Sequence, residues 1–355
     1  MDSHPITARS LTLPYHINSD EFERAYKEKL SGFDQWEDKA HAEEFMAFPE
    51  NVGPQLCIDE TSLSKGELYT IVSNPEGHCR KGSLVAVVKG TKSDDVIRVL
   101  KQNIPEEKRL LVREMTMDFS PGMERITHRA FPNAEITIDL FHVIKGCTDA
   151  MLQVRSACLR EARRKEAEFR EIHKRQRKEY LAYKKYKRYR ARVTFAYIPV
   201  KVGEVYQPLR LRNGDTVCEL LTRSYGLLMT SSNMWTESQK ERAELLFQRF
   251  PRLKEAYSLT HSLRMIFSNH DATKESAKES FYRWYWKVMA FGDKNFATVA
   301  RTIESRLDEV LNYFVERHTN AYAESLNSKI KAFRASLRGV MDVTFFLYRL
   351  KLIFA

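Results

Sequence analysis

Residues 55–63 read QLCIDETSL, an apolar alternation that runs into two adjacent carboxylates, Asp59 and Glu60. The alternation predicts a strand. Two more apolar runs follow at short intervals: ELYTIVS (67–73) after the Lys65-Gly66 turn, and SLVAVVKG (83–90) after Lys81-Gly82. Turns this short join antiparallel neighbours, so the three runs predict a meander. Beyond them KSDDVIRVLKQNI (92–104) reads as a helix and KRLLVREMTMD (108–118) as a strand. SPGMERITHRAF (120–131) reads as a helix opened by Ser120-Pro121, and AEITIDLFHVI (134–144) as a strand running into a helix. A meander followed by helix, strand, helix and strand is an α/β pattern. It predicts a mixed five-stranded sheet, with right-handed crossovers returning the later strands parallel to the first.

The chain has 355 residues, 43% apolar and 11% aromatic, enough for two domains or for one domain carrying a large insertion. Its formal net charge of +11 is uneven: residues 1–50 hold 11 acidic and 5 basic side chains, the rest 36 and 53. A basic body of this kind favours a polyanionic partner. No apolar run approaches the roughly 18–20 residues that span a bilayer, and the first residues lack the pattern of a secretory signal. The five cysteines are scattered with no CxxC pair, which predicts free thiols in a reducing compartment and no zinc ribbon.

Outward from the sheet, residues 1–54 form an acidic, helical leader in which Ser19 is a candidate cap. Strand signals fade after about residue 150. Residues 160–192 carry 15 Lys or Arg against 5 Glu with no Pro or Gly, and Tyr180, Tyr183, Tyr186 and Tyr189 recur at steps of three. A helix so charged holds phosphates without reading sequence; Lys184, Lys185, Lys187, Arg188 and Arg190 are its candidate DNA contacts. Residues 151–300 are expected to be a mostly helical insertion, with short strands possible around 197–212. Residues 301–355 then close the fold with helices. Trp284 and Trp286 in YRWYWK fit core packing better than base stacking.

The carboxylates suggest chemistry. Asp59 closes the first predicted strand and Asp118 the fourth. Neighbouring strands lie about 4.8 Å apart, so if these two are neighbours, their acids can share a hard cation. Oxygen ligands favour Mg²⁺ or Mn²⁺, and two such ions about 3.5–4 Å apart support phosphoryl transfer. A strand-ending Asp is also an ordinary turn former. A third acid is available in HTNAYAESLNSKIKAFRASLRG (318–339): Tyr322, Leu326, Ile330, Phe333 and Leu337 form one apolar stripe, and Glu324 lies nearly opposite, beside Asn327, Lys331 and several small residues.

Three ordered blocks, IDETSLSKGELYTIVSN, MTMDFSPGMERITHRAFPNAEITIDLFHVIKGCTDAMLQVR and TNAYAESLNSKIKAFR, together resemble the DDE transposases of bacterial insertion sequences, in the ISL-three group. The resemblance implies a ribonuclease H-like sheet with Asp59, Asp118 and Glu324 as catalytic and metal-binding residues, around two Mg²⁺ or Mn²⁺ ions. It also implies the helical insertion ahead of the last acid. Asp139 and His142, in DLFH, are marked as supporting residues, although Asp139 also suits a helix cap and His142 a core histidine. Asn327 and Lys331 join the candidate DNA contacts. Family members commonly carry Arg where this chain has Leu140. They also usually begin with a zinc-binding and helix-turn-helix segment that the acidic leader does not match, which leaves end recognition to a separately encoded partner or to the insertion.

The expected activity is metal-dependent cleavage and strand transfer at insertion-sequence ends, by a homodimer or larger assembly on DNA in the bacterial cytoplasm. A catalytically inactive, transposase-derived DNA-binding protein and a general nuclease of the same fold are the rivals.

Overall fold

A computed structural model describes residues 1–64, 66–189, 201–317, 319–337 and 342–355. The chain divides into two compact units, one of residues 1–143, 271–278 and 303–355, the other of residues 144–270 and 279–302.

The first unit is built on a six-stranded sheet: β1 Phe45–Ala47, β2 Gln55–Ser64, β3 Glu67–Ser73, β4 Leu84–Lys89, β5 Glu114–Met117 and β6 Glu135–Ile138, in the order β1-β4-β3-β2-β5-β6. The meander β2-β3-β4 is antiparallel, and β5 and β6 run parallel to β2. With flanking helices, this is the mixed α/β architecture of a ribonuclease H-like core. The five predicted strands are all present; the sixth, β1, comes from the leader and pairs antiparallel with β4. A three-residue strand between charged segments gives no periodic signal, which is why it was invisible in the sequence.

The leader is thus part of this unit's core. Phe33, Trp36 and Met46 pack with Leu63 and Ile71 of the sheet and with Leu326, Ile330 and Phe333 of the helix Ala321–Ser336. The C-terminal helix Val343–Phe354 completes the cluster with Phe346 and Leu350. Tyr322, assigned to the apolar stripe, is exposed instead. Helices Ser93–Asn103 and Pro121–Ala130 pack together and bury Val99, Leu100, Met123 and Ile126. Strand β4 reads LVAVV and all five residues are buried, as befits a strand covered on both faces.

Several local expectations are corrected. The second leader helix, Ser19–Ala25, which follows Ala8–Tyr15, is capped by Asn18, whose side chain accepts from the Asp20 and Glu21 amides, not by Ser19. The segment predicted as one strand over 108–118 is split: Glu106–Leu111 is helical, because its apolar side chains follow a glutamate-rich first turn set by Pro105, and only Glu114–Met117 is extended. Pro121–Ala130 is a helix with Ser120 as its cap, its hydroxyl accepting from the Met123 amide.

The second unit is helical in its described part. The helix predicted over 160–192 starts much earlier, at Leu140, and runs to Tyr189, about 75 Å at 1.5 Å per residue. Helices Val217–Met229 and Glu237–Arg249 each open with a capping box, Thr216 with Glu219 and Thr236 with Gln239. Of the strands thought possible around 197–212, residues 197–200 lie outside the described residues, and the remainder shows a single bridge between Arg210 and Thr216. Trp284 is buried and donates its indole N–H to the Leu259 carbonyl, whereas Trp286 is 67% exposed and is not a core residue.

Candidate active site

The site is set by strand register. Parallel pairing joins Gln55 to Glu114 and Cys57 to Thr116; carried two residues further, it brings Asp59 level with Asp118 on adjacent strands. Strand periodicity carried past the last pair would put both side chains on the same face. Asp59 does not end its strand. β2 continues to Ser64 and stays paired with β3 through Asp59↔Ile71 and Thr61↔Tyr69. The β2–β5 pairing ends at Cys57↔Thr116 and β5 itself at Met117, so on that side Asp59 and Asp118 lie just beyond the paired segment.

Each carboxylate is oriented by its own chain. Asp59 Oδ1 accepts from the Glu60 amide at 2.7 Å, and Asp118 Oδ1 accepts from the Ser120 amide at 2.8 Å. Across the site, Asn327 Nδ2 donates to Asp59 Oδ2 at 2.5 Å. Asn327 is buried on the inner stripe of the helix Ala321–Ser336, formed with Ala323, Leu326, Ile330 and Phe333. Glu324 lies one turn earlier on this helix and is half-buried. The contact fixes where the third acid's helix meets the sheet, and Arg334, donating to the Ser62 carbonyl at 3.0 Å, holds it further along β2.

A second set of contacts anchors the start of that helix. Asp139 follows β6 and is almost fully buried. Its Oδ1 accepts from the Phe141 amide and from the Asn320 amide, both at 3.3 Å, while Oδ2 meets His142 Nδ1 at 3.0 Å. An anion at a helix N-terminus is favoured by the unpaired amides and by the helix dipole. Asn320 and Asn327 were not recognisable from sequence as partners of Asp139 and Asp59. Each lies more than 180 residues away along the chain, and a polar residue on an amphipathic helix carries no mark of what it faces. Phe141, 52% exposed in the first turn after Asp139, also went unremarked.

The electrostatics are those of crowded anions. Burial pushes the Asp59 carboxyl above its ordinary range. The Asp118 charge raises it further, while the Glu60 amide, Asn327 and His142 pull it down. Glu60 is also raised, by burial and then by Asp118 and Asp59. His142 is raised chiefly by its bond to Asp139, then by the charges of Asp139, Asp118 and Asp59. Burial pushes the Cys57 thiol, beneath the site, up to about 12, so it is an inert neutral group; all five cysteines are free.

Among the described residues no three His, Cys, Asp or Glu side chains stand close enough to hold a metal ion together. Asp59 and Asp118 each follow the last β2–β5 pair by two residues, the Asp118 charge acts on Asp59, and Glu324 stands on the helix bonded to Asp59. Two repelling carboxylates, together with an Asn327 Oδ1 that is buried and finds no partner, are a hard-oxygen set that suits Mg²⁺ or Mn²⁺.

Of the candidate DNA contacts, Lys184, Lys185 and Lys331 are exposed. Lys187 and Arg188 continue the long helix, and Arg190 lies outside the described residues. Asn327 is buried and donates to Asp59. No helix among the described residues is long and apolar enough to cross a membrane.

A model of a transposase family matches residues 56–350, spanning β2 with Asp59, β5 with Asp118 and the helix with Glu324. No curated protein and no solved structure matches the chain. With a matched region covering most of its length and every strand from β2 to β6, the chain belongs to the DDE transposases of the ISL-three group.

Proposed function

We propose that this transposase cleaves DNA at the ends of an insertion sequence and joins the freed 3′-hydroxyl to target DNA, with Asp59, Asp118 and Glu324 as its catalytic acids. The proposal is supported by the bond from Asn327, on the Glu324 helix, to Asp59, and by the parallel register of β2 and β5, whose last printed pair, Cys57 with Thr116, lies two residues before Asp59 and Asp118. Bound Mg²⁺ or Mn²⁺, as one ion or a pair, would activate the attacking water or hydroxyl and stabilise the leaving oxygen. Asp59 and Asp118 would hold such ions, each using the lone pairs left free by its single backbone amide and, for Asp59, by Asn327. Glu324 completes the set from the helix. Asp139 and His142 support it by holding that helix at its first residue. The exposed lysines of the long helix supply phosphate contacts, and the enzyme works as a homodimer or larger assembly, with a separately encoded protein contributing end recognition.

The test is nicking and strand transfer on insertion-sequence-end DNA with and without Mg²⁺. Losing one electrostatic stabiliser of a transition state costs about 10²–10³-fold in rate, so Asp118→Asn is expected to reduce the metal-dependent rate by at least about that factor while DNA affinity holds. Equal rates in wild type and variant would remove Asp118 from the mechanism. DNA binding with no cleavage by the wild type under any divalent ion would favour the inactive DNA-binding protein.

A further inference from the structure

We infer that Asn327 is a positioning residue: its side-chain amide locks the Asp59 carboxylate to the helix that carries Glu324, so that the first and third acids are set as one unit. The inference rests on Asp59 being a cation ligand, as proposed above.

The helix presents Ala323, Leu326, Ile330 and Phe333 to the core, and Asn327, 5% exposed, shares that stripe. A polar side chain there is costly unless its groups are paired. Only half of it is. Nδ2 donates to Asp59 Oδ2 at 2.5 Å, and Oδ1 is buried without a partner. A leucine has the same branched skeleton with methyls in place of the amide oxygen and nitrogen and would remove the orphan, so apolar packing alone does not explain an asparagine. The bond to Asp59 does. Asp59 Oδ1 is tied to the Glu60 amide, and the Asn327 donor fixes the second oxygen and with it the plane of the carboxylate. The bond also runs between elements, from β2 to the helix, one turn from Glu324. The unpartnered Oδ1 has its own explanation: Mg²⁺ keeps several waters, each a strong donor, and a buried acceptor beside a ligand carboxylate is suited to receive one.

The experiment follows Mn²⁺ binding to the full chain without DNA, by electron paramagnetic resonance of the free ion, in wild type, Asp59→Asn, Asn327→Leu and Asn327→Ser. Thermal unfolding without divalent ion is measured alongside. The expected result is Mn²⁺ binding at least about tenfold weaker in both Asn327 variants, with the melting temperature of Asn327→Leu equal to or above that of wild type, because the orphaned acceptor is gone. The half-maximal Mn²⁺ for DNA cleavage should rise by the same factor. Mn²⁺ affinity within twofold of wild type in both variants would overturn the inference and leave Asn327 a packing residue. So would failure of both variants to fold. If Asp59→Asn binds Mn²⁺ as wild type does, it is the assignment of Asp59 that fails, a result separable from weakened binding in the Asn327 variants alone.

Discussion

Replacing Asp139 by Asn keeps the shape of a buried side chain and removes its charge, with consequences that depend on pH. Asp139 accepts from two amides, those of Phe141 and Asn320, and pairs with the His142 ring. Hydrogen bonds to a charged group contribute about 1.5–3 kcal/mol each and neutral ones about 0.5–1.5. Weakening all three therefore costs about 3 kcal/mol. In a unit of about 200 residues that lowers the melting temperature by roughly 6–12 °C.

The His142 share is the part that titrates. Its folded-state pKa is raised, mainly by Asp139, so its contribution is fully present below the unfolded histidine value of about 6.5. That contribution is lost as pH rises through the folded value. The groups acting on it are Asp139, Asp118 and Asp59, and only the first is altered. Asp139→Asn should therefore destabilise more at about pH 5.5 than at about pH 9, as read by chemical denaturation at both. The amide share, tied to Asn320, remains at both. Transposition should fall with it, because the Glu324 helix loses its anchor, while DNA affinity is retained. A destabilisation under about 0.5 kcal/mol, or one equal at the two pH values, would refute the anchoring role.

Asp59→Asn should stabilise the cation-free protein. A carboxyl whose folded pKa is raised by burial costs stability above that value, and the cost fades as pH falls through it towards the unfolded one. The gain in melting temperature should thus be present at about pH 8, vanish near pH 4, and be reversed by saturating Mg²⁺, which stabilises only the wild type; a loss at pH 8 without cation would contradict the origin given for the shift. Exposed Lys184 and Lys185 should contribute phosphate contacts: Lys184→Gln with Lys185→Gln is expected to lower the slope of log affinity against log salt by about 1.8, with stability changed by less than about 0.5 kcal/mol. An unchanged slope would place DNA elsewhere.

The sheet was legible because its strands are short apolar runs separated by Lys-Gly turns, and because its acids stand in three ordered blocks. What escaped was whatever depends on distant partners. Strand β1 exists only because β4 offers it an edge. The helix at Glu106–Leu111 was misread because Leu110, Leu111 and Val112 look strand-like until Pro105 is seen to open a turn. The core-packing expectation for the two tryptophans divided, Trp284 inward and Trp286 outward, since a helical segment rich in aromatics does not say which face is covered. Asn327 shows the same limit at the site: the sequence placed it beside Glu324, and only the packing of its helix on β2 turned it towards Asp59.

The bond between Asp139 and the Asn320 amide closes a loop of roughly 180 residues within the chain, and Asn312, donating to the Ile136 carbonyl at 2.8 Å, closes nearly the same one. Loop-closure entropy grows only logarithmically, by about 0.6 kcal/mol for each doubling of length. The clasp at the end of β6 therefore makes the closure of this unit nearly indifferent to how much polypeptide is threaded between Asp139 and Asn320. A chain built this way can enlarge, shrink or exchange the intervening region at almost no loop-closure penalty to the sheet-bearing unit.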